Sequence, residues 1–193
     1  MKLLSGVLLA LVAPVVVAEG IERQFESHEH GKAVMTVVLE GKALQIEINS
    51  PAANIVGFEH APADKQQKDA LISVIGQLKK PEQLFVFPDG SACLADLAEV
   101  QTTMMDDHET DHDHEASHDH ETGHQADSGH DGDNHSDFQL SYQFHCGSPA
   151  LLKGFSVELF EYYPQMKQLQ VQLIGPSGQS YQQLDEDNRW INF

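Results

Sequence analysis

The chain reads first as a series of short apolar stretches, most of them with the two-residue period of a half-buried strand. Ala33 to Leu39 is rich in valine. Ala43 to Ile48 sets Leu44, Ile46 and Ile48 against Gln45, Glu47 and Asn49. Glu40-Gly41-Lys42 between them reads as a hairpin turn, and Asn49-Ser50-Pro51 ends the second strand. An apolar connection from Ala53 follows and closes on His60. Between Asp64 and Lys80 the period changes. Ala70, Leu71, Val74, Ile75 and Leu78 recur at helical spacing, with Lys65, Lys68 and Lys79 elsewhere. Lys79-Lys80-Pro81 suits a helix C-terminus, where cations favour the dipole.

Leu84 to Phe87 predicts a short strand, Pro88-Asp89-Gly90 a turn, and Cys93 to Gln101 another strand. Phe138 to Cys146 alternates cleanly. Phe138, Leu140, Tyr142, Phe144 and Cys146 share one face, so the cysteine turns to the core and His145 away from it. Pro149 to Lys153 fits a helical turn, and Phe155 to Phe160 is apolar. Leu169 to Ile174 and Gln179 to Leu184 flank Gly175-Pro176-Ser177-Gly178 as a second hairpin, and Trp190 to Phe193 can add a last strand. About nine strands and one main helix predict an α+β fold, a single mostly antiparallel β domain.

The pattern stops between Thr102 and Asp137. Read from His112, this stretch falls into units of six: HDHEAS, HDHETG, HQADSG, HDGDNH. His108, His112, His114, His118, His120, His124, His130 and His135 are eight of the chain's twelve histidines, and aspartate and glutamate fill the spaces. Apart from two methionines and two alanines, nothing there can enter a core. Ordering it would cost chain entropy with no apolar burial to offset it, so the expectation is a disordered insert. The acidity of the chain is concentrated here. The formal net charge is −19, and twelve of the thirty acids lie in this stretch with no lysine or arginine. Such a balance argues against nucleic-acid and anionic-membrane partners and for cations.

The N-terminus adds an expectation about compartment. Lys2, the apolar run Leu3 to Ala13, Pro14, and small residues up to Ala18 make a secretory signal over residues 1–18. The run is too short for a spanning helix of about 20 residues. The expected product is a soluble periplasmic protein whose α+β domain comprises 19–101 and 138–193, with 102–137 as the insert. In an oxidising compartment Cys93 and Cys146, the only cysteines, are expected to form one disulfide. It would close a loop of about 53 residues, worth roughly 4 kcal/mol in the chain-entropy model, and would anchor both ends of the insert at one place. The rival reading makes the two cysteines metal thiolates.

Imidazole is a borderline donor that suits zinc, copper(II) and nickel, and His-rich tracts are compositional metal signals. The carboxylates between them can ligate or hold the second ring nitrogen. Outside the insert stand His28, His30, His60 and His145. His28 and His30 point the same way on an extended chain, and His60 is the best third member of a three-histidine zinc face. Glu59 could complete the shell or hold a ring nitrogen, and His145 is a weaker fourth.

His28-Glu29-His30-Gly31, a valine-rich strand, and the SPAANIVGFEHAP run at 50–62 resemble the ZrgA-type periplasmic zinc-binding proteins of proteobacteria. Cys146 after Tyr142-Gln143-Phe144, Leu159-Phe160 with Tyr163-Pro164, and the Gly178-Gln179 turn are similar too. The resemblance spans the whole mature chain. It implies a zinc-responsive protein working beside a zinc importer, with ordered zinc sites on His28, His30 and His60. The expected function is zinc scavenging or buffering for uptake, with zinc as ligand, an importer component as partner, a monomer, and no catalysis. Two alternatives stay open: a zinc-dependent envelope hydrolase, and a structural envelope domain with an incidental metal-binding tract. The chain holds no HExxH, serine elbow or phosphate loop to support the hydrolase.

Overall fold

A computed structural model of the chain describes residues 29–105 and 135–193. The first hairpin forms where alternation places it. Strand β1 (Lys32–Glu40) and strand β2 (Ala43–Pro51) pair antiparallel, from Val34↔Asn49 to Glu40↔Ala43. Gly41 supplies the positive φ of 58° that the two-residue turn needs. Helix α1 (Ala53–Val56) follows, and then helix α2 (Lys65–Leu78). Asp64 caps α2, its carboxylate accepting from the Gln67 N–H at 2.8 Å.

Helix α3 (Pro81–Leu84) and strand β3 (Phe85–Val86) occupy the segment where the sequence suggests a single strand from Leu84 to Phe87. Pro81 explains the difference. Its fixed φ starts a helical turn at the first position, and only two residues are left to extend. Strand β4 (Cys93–Thr102) and strand β5 (Asp137–Cys146) pair antiparallel along their length, with a bulge between Ala95 and Leu97. Strand β6 (Gly154–Val157) turns into helix α4 (Leu159–Tyr162), so the apolar run from Phe155 to Phe160 is half strand and half helical turn. Strands β7 (Gln168–Gly175), β8 (Gly178–Leu184) and β9 (Trp190–Asn192) complete the nine strands among the described residues.

The strands make a six-stranded sheet in the order β4-β5-β2-β1-β7-β8 and a three-stranded sheet in the order β3-β6-β9. Every pairing is antiparallel except β1 with β7, in register from Lys32↔Gln168 to Val38↔Ile174. The fold is thus β-rich with few helices. One face of the large sheet is buried, carrying Met35, Val37, Leu44, Ile46, Ile48, Leu140 and Val171. Leu71 and Leu78 of α2 and Phe85, Phe155, Val157 and Ile191 of the small sheet join the same core. Phe85 sets its edge against Tyr142 and Phe144, which docks the small sheet on the large one. The opposite face of β2 and β5 shows Gln45, Glu47, Asn49, Gln139, Gln143 and His145 to solvent.

Cys93 and Cys146 are disulfide-bonded and stand directly opposite each other in the β4–β5 ladder. The bond does not anchor the ends of the insert. It closes one end of a pair of ten-residue strands whose other end, Thr102↔Phe138, faces the insert roughly 30 Å away by strand rise. The strand ladder itself holds the two roots together. Order also extends into the stretch expected to be insert. Thr102 and Asp137 are strand residues, Thr103–Met105 forms a 3₁₀ turn, and Met104 is buried, because ladder pairing and an apolar contact reward their ordering. The expectation of disorder otherwise falls on 106–134, outside the described residues.

Candidate metal site

At the end of β2 the chain leaves the sheet through α1. Gly57, at φ 85°, closes that helix with its N–H on the Ala53 carbonyl. Two residues later Glu59 turns inward, its side chain only 13 % exposed. Each carboxylate oxygen meets an imidazole. Oε1 lies 3.0 Å from His30 Nε2, and Oε2 lies 2.5 Å from His135 Nδ1. One ring comes from just before β1 and the other from just before β5.

The backbone fixes this meeting. The Ser136 N–H donates to the Glu59 carbonyl at 3.2 Å, and the Ala52 N–H donates to the Ser136 carbonyl at 2.8 Å. Ser136, next to the end of the histidine-rich stretch, is therefore laced to both ends of the α1 connection. On the other side, His30 lies in a turn closed by the Lys32 N–H on the Glu29 carbonyl. Gly31 takes φ 84° there, and its carbonyl accepts from the Lys167 and Gln168 N–H groups at the start of β7. Its own N–H donates to Asn54 Oδ1 at 2.6 Å.

Burial alone would raise the Glu59 pKa. The close contacts and charge of His135 and His30 outweigh it and hold the carboxyl below its ordinary range. An imidazole that donates its Nδ1–H to a carboxylate carries its lone pair on Nε2, the nitrogen a metal then takes. His135 presents Nδ1 to Glu59, so the carboxylate selects the tautomer of that ring, and His30 Nε2 lies beside the other oxygen. The His30 contact is not aligned as a hydrogen bond. Glu59 Oε1, shielded from solvent, accepts none among the described residues. Two imidazoles and a carboxylate oxygen with unused acceptor capacity form a donor set that zinc accepts. Among the described residues no three His, Cys, Asp or Glu side chains are already gathered as a metal cage. The arrangement is a carboxylate-organised imidazole pair, and the rings must turn for their lone pairs to converge.

The other candidates fall elsewhere. His28, His108, His112, His114, His118, His120, His124 and His130 lie outside the described residues. His60 follows Glu59 directly, but its ring stacks on Phe58 and its Nδ1 is 2.8 Å from the Ala61 carbonyl. No ion pair joins it to Glu59 among the described residues. His145 pairs with Ala43 at the far end of β2, eight residues along from Pro51↔Asp137, hence about 27 Å by strand rise from the Glu59 end. By composition His135 belongs with the tract. Its signal was position: it stands three residues before the clean alternation of Phe138 to Cys146, on the boundary of the ordered sheet.

The fold and the site together describe a β-rich domain that carries imidazole and carboxylate donors of the kind borderline divalent metals accept. Residues 27–193 match the model of the ZrgA family zinc uptake protein, and the chain belongs to this family. That membership supports a zinc-related role. No curated protein matches the chain. Among the described residues no helix is long and apolar enough to cross a membrane.

Proposed function

We propose that this chain is a periplasmic zinc-binding protein that scavenges or buffers zinc and supports its uptake by an importer. The observation that carries the reading is Glu59 held between His30 and His135 where the histidine-rich stretch joins the sheet. The stretch supplies many weak donors at high local concentration. The Glu59 group supplies one place where donors are held by the fold. The zinc ion is cargo rather than a catalytic cofactor. Glu59, which a hydrolase would use as its base, has both oxygens set against imidazoles, and this favours binding over turnover.

Zinc titration of the full chain, followed by calorimetry, tests the proposal. The wild type should show one tight phase and several weaker ones. His30→Ala or His135→Ala should each weaken the tight phase by about 10-fold or more, while His145→Ala leaves it unchanged. A tight phase unaffected by either of the first two variants would refute the site. Zinc-dependent turnover in a panel of ester, phosphoester and peptide substrates would refute the binding role.

A further inference from the structure

We infer that Asn54 is a positioning residue for zinc at His30, an inference that rests on the site reading above. The His30 side chain is 67 % exposed and touches the protein at Glu59, so little but its backbone turn sets where the ring stands. That turn is gripped by one buried side chain. Asn54, 1 % exposed in α1, accepts the Gly31 N–H on Oδ1 at 2.6 Å. Its Nδ2 donates to the Lys32 carbonyl at 2.8 Å and to Ser50 Oγ at 3.2 Å.

The chemistry of this grip is specific. It needs one acceptor and two donors at the end of a short stem, which only a carboxamide offers. An aspartate would set acceptor against acceptor at Lys32, and an alanine would leave the Gly31 N–H and Lys32 carbonyl without their partner. The grip also joins the two halves of the site. Asn54 and Glu59 leave the sheet on the same short connection, which Ala52 and Glu59 tie to Ser136. By holding the residues that follow His30, Asn54 fixes where the imidazole stands relative to the Glu59 carboxylate beside it.

The test follows the imidazole signals of His30 and His135 by NMR while zinc alone is added to the full chain. In Asn54→Ala the zinc midpoint should rise about 10–100-fold, as for loss of a group that orients a ligand. In a His30→Ala background, read at His135, the same substitution should add almost nothing, because its effect passes through the missing ring. Asn54→Asp, which keeps an acceptor for the Gly31 N–H, serves if Asn54→Ala fails to fold, with the same direction expected. Tyr142→Phe, which weakens the core away from the turn, should lower Tm without moving the midpoint. An unchanged midpoint in Asn54→Ala, an equal shift with and without His30, or a shift in Tyr142→Phe would overturn the inference. If His30→Ala alone leaves the zinc response of His135 unchanged, the site reading itself fails.

Discussion

Tyr142 performs two tasks with one ring. Its edge contact with Phe85 joins the sheets, and its hydroxyl donates to the Leu78 carbonyl at 3.0 Å. That carbonyl belongs to the last turn of α2, where helix acceptors lack helical partners. Tyr142→Phe should cost about 1–3 kcal/mol in urea unfolding, because the buried carbonyl is left unsatisfied. Burial raises the pKa of both the Tyr142 and Tyr163 phenols, with each further opposed by a neighbouring tyrosine. The folded chain then keeps protons that the unfolded chain releases near pH 10. Their contribution is complete below about pH 10 and is lost as pH rises beyond it. Unfolding free energies across that range should fall, and less steeply in Tyr142→Phe. At the same scale, Glu59→Gln keeps the shape of the site but removes its charge, and should weaken the tight zinc phase about 10–100-fold. Glu59 was legible in the sequence as a holder of ring nitrogens. Its second partner was not, because the run of histidines conceals that His135 is tied to the sheet through Ser136.

Elements with strong periodicity were legible. The alternation in β2 and β5 matches their burial residue by residue, and α2 differs from its sequence reading only at its ends. Short pieces were not. Four residues of α1, α3 or α4 carry too few side chains to display a period, and local effects such as Pro81 decide them. The Asp64 cap gives a direct check on α2. Asp64→Ala should cost about 0.5–2 kcal/mol, measured by thermal unfolding, without altering zinc binding. The β4–β5 hairpin gives another. Cys93 and Cys146 are 53 residues apart in sequence, so replacing both by serine should cost roughly 4 kcal/mol on the chain-entropy model. Because the bond sits at the end of the hairpin remote from Glu59, zinc affinity of the folded variant should be retained.

For the whole molecule, the sequence predicted the strands but not their order. Nothing in β1 announces a parallel partner, since its neighbours are set by how two distant apolar faces close over one core. The proposed zinc role carries its own signature in pH. Imidazole must lose its proton to bind a metal, and free histidine does so near pH 6.5. Zinc stoichiometry should fall between about pH 7.5 and 5.5, whereas carboxylates stay ionised over that interval and would leave it flat.

The parallel pairing of β1 with β7 also sets a pace. Lys32 meets Gln168, and the chain between them includes the four helices α1 to α4, the histidine-rich stretch and most of the other strands. The centre of the large sheet therefore cannot close until nearly the whole chain has been delivered, and such non-local pairing slows folding into the millisecond-to-second range. Replacing 106–134 by a short turn removes loop-closure entropy from the step that joins β4 to β5. Refolding followed by the fluorescence of Trp190 should then accelerate by up to about tenfold. A newly made chain would pass its early life with valine-rich β1 open along one edge, and the carboxylates of the tract would help to keep such chains apart.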